Sequence, residues 1–515
     1  MVHLITMISD SYVELPWSSD QWTSIYVDPI DIIVDNMNGI VDVYTTEVYL
    51  SVILRKEQGS LFHYAFPIIK SSLEYSLLQN VEQTHSFESS EEISSRISLQ
   101  QKINLVSKSV SKQISESIPE MDDKTRMNIS QIASHKSTVL NPLFPLFLDD
   151  EVEEIYLDAL DTSVYFDHNR LGRVETEWTP SQVEVTRLVT LLRSESNLHL
   201  DRKNPSMKTD FVIYDTPLRF SITVPPLASE GIHLEIRRAK NQQFTIMDLI
   251  SNDTLSIEAA AMLILAVNSR MNITITGGPG VGKTTLMNAL DKVTPKIWRK
   301  LYIEDTIESR LYNGHHQIRI RVDPVDELGA SFDKVTEIVK SLHRSPDYLI
   351  LGEIQTEDHS NALFQSLAAG LRSIQTCHSA TPQGLITRWT RNHGIDDASI
   401  ALMDLIVSLN RPQPGDSTRF VSEIVEIRRS VEDGVFVFNG LNTVYKRLDS
   451  SECYPWADDG AFNRLALEQG MKSHLPAFNR IVSELNTRIT NGDKNTSNLS
   501  QKLWENGHPM LLKPN

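Results

Sequence analysis

Cysteine is nearly missing from this 515-residue chain, which has only Cys377 and Cys453. Two thiols cannot make a disulfide framework or a four-cysteine zinc module, and so low a count suits a reducing compartment. Long apolar runs are missing too. The longest, Ala259 to Val267, falls far short of the ~20 residues needed to span a bilayer. The opening stretch, MVHLITMISDSYVELPW, lacks a charged segment followed by a long apolar one, so no secretory signal is expected. Positive charge is in deficit, with 49 basic residues against 67 acidic ones and a net charge of −18. That excludes a generally basic protein that coats nucleic acid, while a local basic groove stays open. No internal repeat or low-complexity segment is visible. What is present is ordinary for globular domains: 40% hydrophobic and 23% charged residues, over a length that suits three or four domains of ~150 residues. The expectation is a cytosolic protein whose work at any membrane needs a partner.

Composition shifts divide the chain. Between Val81 and Thr138 it is rich in Ser, Glu and Gln, with Pro119 its one proline. There, Ser90-Glu91-Glu92 precedes Ile93, Ile97, Ile103, Val106, Val110 and Ile114, a helical spacing after an acidic first turn. An amphipathic docking helix and a partly disordered connector both fit, and residues 1–140 are read as a mainly helical N-terminal extension. From NPLFPLFLDD onward, short apolar runs alternate with turn residues, as in a small α+β domain over 141–240. A polar linker at 241–243 follows. In 244–450 the runs MNITIT (271–276), KLYIE (300–304), DYLILGE (347–353) and SIQT (373–376) alternate with helical stretches, which implies an α/β domain with a parallel sheet. Residues 405–447 read as a β-meander, and 451–515 as a helical tail broken at Pro455, Pro476 and Pro509.

Gly277-Gly278-Pro279-Gly280-Val281-Gly282-Lys283-Thr284 fits the Walker A pattern and has a strand before it and a helix after it. Glycines let successive backbone N–H groups curl around a phosphate, and the helix N-terminus adds partial positive charge. Lys283 can then reach the β and γ phosphates, and the Thr284 hydroxyl can ligate Mg²⁺. Asp347 to Glu353 is an apolar strand ending in an acid, as a Walker B element requires. IEDTIE places Glu304, Asp305 and Glu308 just beyond another strand, where carboxylates can activate water or bind Mg²⁺ through water. His378 ends a fourth strand. Cys377 beside it invites a Cys–His nucleophile, but strand neighbours point to opposite faces and cannot easily pair. Ligands of parallel sheets bind outside the carboxyl ends of the strands. Lys283, Glu304, Glu308, Glu353 and His378 all lie there, which points to one nucleotide site.

These motifs, GGPGVGKTT, IEDTIE, SPDYLILGE and TCHSA in that order, resemble the Walker A, Asp box, Walker B and His box of the type II/IV secretion system ATPases. NPLFPLF with VEEIY, and PLRF followed by IHLEIRRAKNQQFTIMDLI, resemble that family's arginine-bearing amino-terminal domain and its linker. The likeness covers about 141–430, and the long zinc-free extension before it resembles the archaeal branch. The resemblance implies a RecA-like P-loop NTPase domain that binds ATP and Mg²⁺ through Gly277 to Thr285, with Thr284 and Glu353 at the metal. It implies Glu304 and Glu308 as Asp-box acids, Glu353 as the Walker B acid and His378 as a γ-phosphate sensor. Arg219, Arg237 and Arg238 would bring cations from the amino-terminal domain. It further implies a homohexamer at the cytoplasmic face of a membrane, docked on a polytopic platform protein, with no nucleic acid partner. The chain departs from the family at Gln355, where an arginine is usual, at His343 with Arg344 one place later, and at Leu371, where the His box usually begins. An ATP-hydrolysing motor for a pilus-like filament or a secretion apparatus is the leading expectation. A catalytically weak ATP-binding assembly subunit and a P-loop nucleic-acid motor are its alternatives.

Overall fold

The computed structural model describes residues 41–504 apart from 47, 56–60, 69–71, 85–97, 197–198, 215, 239–243, 324–331, 414–417, 448–450 and 494–498, together with four short strands before residue 41. The linker expected at 241–243 and the start of the helix expected from Ile93 lie outside the described residues. The chain divides into two compact units, Met1–Asn241 and Gln242–Asn515.

The first unit is built on a nine-stranded sheet. Its strands run, edge to edge, Ser206–Ile213, Thr216–Thr223, His233–Arg238, Val152–Leu157, Tyr165–His168, Gly172–Thr176, Leu61–Pro67, Tyr49–Arg55 and Val41–Thr45. One neighbouring pair is parallel, where Glu175 faces Phe62 and Thr176 faces His63. The three strands between 41 and 67 were not expected in the N-terminal extension. VDVYT, YLSVILR and LFHYAFP carry the β-branched and aromatic side chains that fit a pleated, half-buried surface. Through them the extension and the α+β region share one sheet and one core, in which Tyr49, Ile53 and Leu61 join Phe144, Phe166 and Ile236. The helix expected in this region covers Leu99–Ser117. Ser98 and Gln101 form a capping box at its start, and Leu99, Ile103, Val110 and Ile114 are its buried face.

The second unit holds the motifs. Its nine strands are ordered His316–Arg321, Arg299–Glu304, Tyr348–Ile354, Ser373–His378, Ile273–Gly277, Leu405–Asn410, Phe420–Glu432, Val435–Arg447 and Ser451–Cys453. The first six are parallel and the last three form an antiparallel meander. ITITG is buried throughout, the signature of a central strand covered on both faces. The apolar run at 259–267 is the buried core of the helix Ile257–Asn268. The His316–Arg321 strand, which sequence alone did not suggest, is a half-exposed sheet edge rich in arginine. The tail folds as the helices Ala461–Glu468, Leu475–Thr490 and Leu499–Trp504, whose Phe462, Ile481 and Leu485 complete the core. No described helix is long and apolar enough to cross a membrane.

Candidate nucleotide-binding site

The Ile273–Gly277 strand lies between Ser373–His378 and Leu405–Asn410, with Gly277 in register with His378. The chain leaves the strand at Gly277 with φ +148°, and a Cβ there would sit 2.7 Å from the Leu409 carbonyl oxygen and 2.8 Å from Val281 Cγ2. The turn ends at Gly282, φ +94°, which caps the helix Lys283–Asp291 without a side-chain hydrogen bond. Glycine is required at both points, and no side chain caps the helix N-terminus. Lys283 is buried beneath this loop. Its Nζ donates to the carbonyls of Gly278 at 2.8 Å and Gly277 at 3.1 Å, and it lies 3.1 Å from His378 Nδ1.

Lysine can only donate, so Nδ1 of His378 accepts and the ring proton sits on Nε2. Nε2 meets the Glu353 carboxylate, and the other oxygen of Glu353 accepts from Gln355 Nε2 at 3.1 Å. Burial, together with Lys283 and then Arg388, holds the His378 pKa below its ordinary value, which suits the neutral ring. Glu353 is aimed by a bulge. Leu351 faces Gln375 and Glu353 faces the next residue, Thr376, so Gly352 is the extra residue. Glu304, at the end of the neighbouring strand, is 2% exposed. Its Oε1 accepts the amides of Ser309 at 3.0 Å and Glu308 at 3.3 Å, and its other oxygen accepts the Ser309 hydroxyl. Burial nevertheless pushes its pKa up to about 7. Asn288, on the helix after the Walker A loop, donates to the Glu308 carbonyl at 3.1 Å and ties that helix to the acidic turn. Thr284 and Thr285 occupy the first turn of the same helix.

Several residues around the site lie outside the sequence motifs. Arg388 donates to the carbonyls of His378, at 2.8 Å, and Gln355, clamping the ends of two strands. Arg411 and Arg419 follow the Leu405–Asn410 strand, on the side of the P-loop away from Glu353. A Cβ at Gly280 would lie 3.5 Å from Arg411 Nη1, and one at Gly282 4.0 Å from Arg419 Cδ. Arg344 and Arg372 stand at the opposite, amino-terminal edge of the sheet, paired with Glu337 and Asp404. Cys377 is buried, and its thiol, pushed up by burial, donates to the Ile354 carbonyl. It takes no part with His378 as a nucleophile.

Arg219, Arg237 and Arg238 belong to the first unit. The first two face each other across neighbouring strands, and the row continues outward to an acid on each side: Asp210, Arg219, Arg237, Glu154. The Arg219–Asp210 pair is at 3.0 Å and the Arg237–Glu154 pair at 3.6 Å. Arg238, one residue on, points to the other face. It is buried, donates to the Phe147 carbonyl at 3.0 Å and pairs with Asp150.

Fold and site define an α/β protein whose glycine-rich loop, Gly277 to Lys283, lies at the carboxyl edge of a parallel sheet. The chain belongs to the type II/IV secretion system protein family, whose model matches residues 133–411. It is 27% identical over 346 residues to an uncharacterized protein of Methanocaldococcus jannaschii, covering 64% of this chain and 45% of that one. It is 31% identical over 221 residues to the conjugal transfer protein TrbB of Rhizobium radiobacter, covering 41% of this chain and 64% of that one. The chain thus spans less than two thirds of the length of either relative. Among solved structures it resembles the VirB11 ATPase of the Brucella suis type IV secretion system in complex with sulphate, at 19% identity and a TM-score of 0.29, over 57% of this chain and 95% of that one.

Proposed function

We propose that the chain binds ATP at the P-loop of the second unit and hydrolyses it, working as a homohexameric motor for a pilus-like filament or a type II/IV secretion apparatus. One observation carries the reading: the connection from Lys283 through His378 to Glu353. It links the cation that would meet the phosphates to the acid that would orient water. On binding ATP, Lys283 would trade two glycine carbonyls and His378 Nδ1 for β and γ phosphate oxygens. His378 would then be free to follow Glu353, so that the acid's position depends on the γ-phosphate. Thr284 and Glu353 would hold Mg²⁺, which when bound offsets charge on the β and γ phosphates. Glu304 and Glu308 would accept hydrogen bonds from the attacking water. Arg411 and Arg419, with Arg219 and Arg237, are the candidate cations for charge on the transferred phosphoryl group. The buried Arg238 would support that set through the strand it anchors.

Membership of the family and the conjugal-transfer name of one relative support a place in a secretion or conjugation machine. The resemblance adds a polytopic membrane platform as partner and a location at the cytoplasmic face of the membrane. Steady-state phosphate release from the purified chain tests the reading. Lys283→Ala should abolish release and weaken ATP binding, and unchanged turnover in that variant would overturn the ATPase assignment. The second reading, a weakly active ATP-binding assembly subunit, draws support from Gln355, a neutral side chain that holds Glu353. ATP binding without measurable release would favour it.

A further inference from the structure

Three lysines are buried among the described residues: Lys283, Lys300 and Lys334. The first belongs to the P-loop, and the second is satisfied by Asp291 and Thr294 within the core. Lys334 is 2% exposed and opens the short helix Lys334–Lys340. Its Nζ donates to the main-chain carbonyl of Glu353 at 2.9 Å and lies 3.6 Å from Asp305 Oδ1. Asp305 is the middle acid of the IEDTIE turn, and its carboxylate rests on the Walker B bulge, 3.7 Å from where a Gly352 Cβ would be. One ammonium therefore joins the acidic turn that carries Glu304 to the backbone of the strand end that carries Glu353. A lysine on a helix could keep its charge in water, and burying one costs free energy that only well-made partners return. Of the other cations nearby, Arg388 is engaged by the His378 and Gln355 carbonyls and Arg319 donates to the Ser309 carbonyl at the end of the acidic turn, so neither joins that turn to the Glu353 strand end as Lys334 does.

We infer that Lys334 is a positioning residue that holds the Asp-box turn and the Walker B strand end in register, so that Glu304 and Glu353 face one water. The inference rests on the ATPase reading above and adds to it a residue that touches neither phosphate nor metal. Its removal acts on the chemical step and spares binding, because the Walker A loop is not among its partners.

The test uses the full chain with Lys334→Met, Asp305→Asn and the double variant. Phosphate release, titration with a fluorescent ATP analogue and amide hydrogen exchange over 304–309 are measured on each. For Lys334→Met we expect kcat to fall about tenfold or more while KM and the analogue's Kd stay within about threefold, the pattern of a lost transition-state arrangement. Exchange over 304–309 should quicken about tenfold, since the Glu308 and Ser309 amides report the order of that turn. The double variant should be no slower than the slower single one. Wild-type kcat in both single variants, additive losses in the double one, or unchanged exchange in Lys334→Met would each overturn the inference. Should Lys334→Met not fold, Asp305→Asn, altered at a partly exposed carboxylate, decides by the same kcat and exchange criteria. A wild-type chain that releases no phosphate sinks the ATPase reading instead, and the exchange measurement still decides whether Lys334 holds the turn.

Discussion

Glu353 has a commitment on each carboxylate oxygen, His378 on one and Gln355 on the other. Glu353→Gln keeps one acceptor and loses the charge. ATP binding should survive that change, while hydrolysis falls about 100-fold, the scale expected when a positioned acid or base is lost. Binding titrations beside phosphate release check this, and lost binding with an unaltered rate per bound ATP would contradict it. Glu304 offers a test in pH. Its carboxyl, raised by burial to about 7, can accept a proton only when ionised. The value of kcat/KM, which reports the free enzyme, should therefore rise with pH through a midpoint near 7 and level off above it. Glu304→Gln should remove that limb and leave a low rate throughout. A wild-type profile that is flat from about pH 6 to about pH 8 would speak against the role.

At the scale of elements, the site depends on strand ends being held level. Arg388 does this with charge-assisted hydrogen bonds to two carbonyls. Arg388→Met strands both acceptors, so a stability loss of about 1–3 kcal/mol is expected together with a fall in kcat. Thermal melts and phosphate release on the same preparation check it, and a variant that melts and turns over like the wild type would contradict it. The four motifs were legible because each puts its chemistry next to a run of apolar residues, and such runs are readable without neighbours. The lateral order was not legible. Walker B follows the Asp box in the chain, yet the strand that separates it from the P-loop, Ser373–His378, comes later still. Arg411 and Arg419 stand far from the P-loop in sequence and come beside Gly280 and Gly282 only because Leu405–Asn410 pairs with the P-loop strand. Lys334 lies in no motif, and only the packing shows that it is buried. The strands at 41–67 hid for a different reason: the polar stretch after Val81 set the tone of the whole extension, while the alternation that betrays a strand lay before it.

For the whole molecule, the question is what each unit can do alone. Thr245 starts the second unit's first helix with a side-chain cap to Asp248, so a chain cut to begin there keeps its natural start. Such a chain should bind ATP with near full-length affinity. Its hydrolysis should be at least about tenfold slower if arginines of the first unit complete the charge around the phosphoryl group. Arg219→Ala with Arg237→Ala should reproduce that defect in the full chain, and light scattering with ATP should show a species near six times 58.3 kDa. Full activity of the truncated chain, with monomer alone in the scattering, would remove the ring motor from consideration. Arg238 must be left out of that pair, since its removal would break the buried contacts with Phe147 and Asp150.

The seam in the first unit's sheet has its own consequence. Between Leu61–Pro67 and Gly172–Thr176 the pairing covers two residue pairs, against seven on one side and four on the other. A seam that short gives up few hydrogen bonds when it parts, so the strands on its two sides are held together chiefly by the apolar core they share. Parting bares an edge that the 61–67 strand of any other copy fits as well as its own. Two chains that open at the same time can therefore close on each other, each lending its first strands to the other, and become interlocked without a single residue being changed.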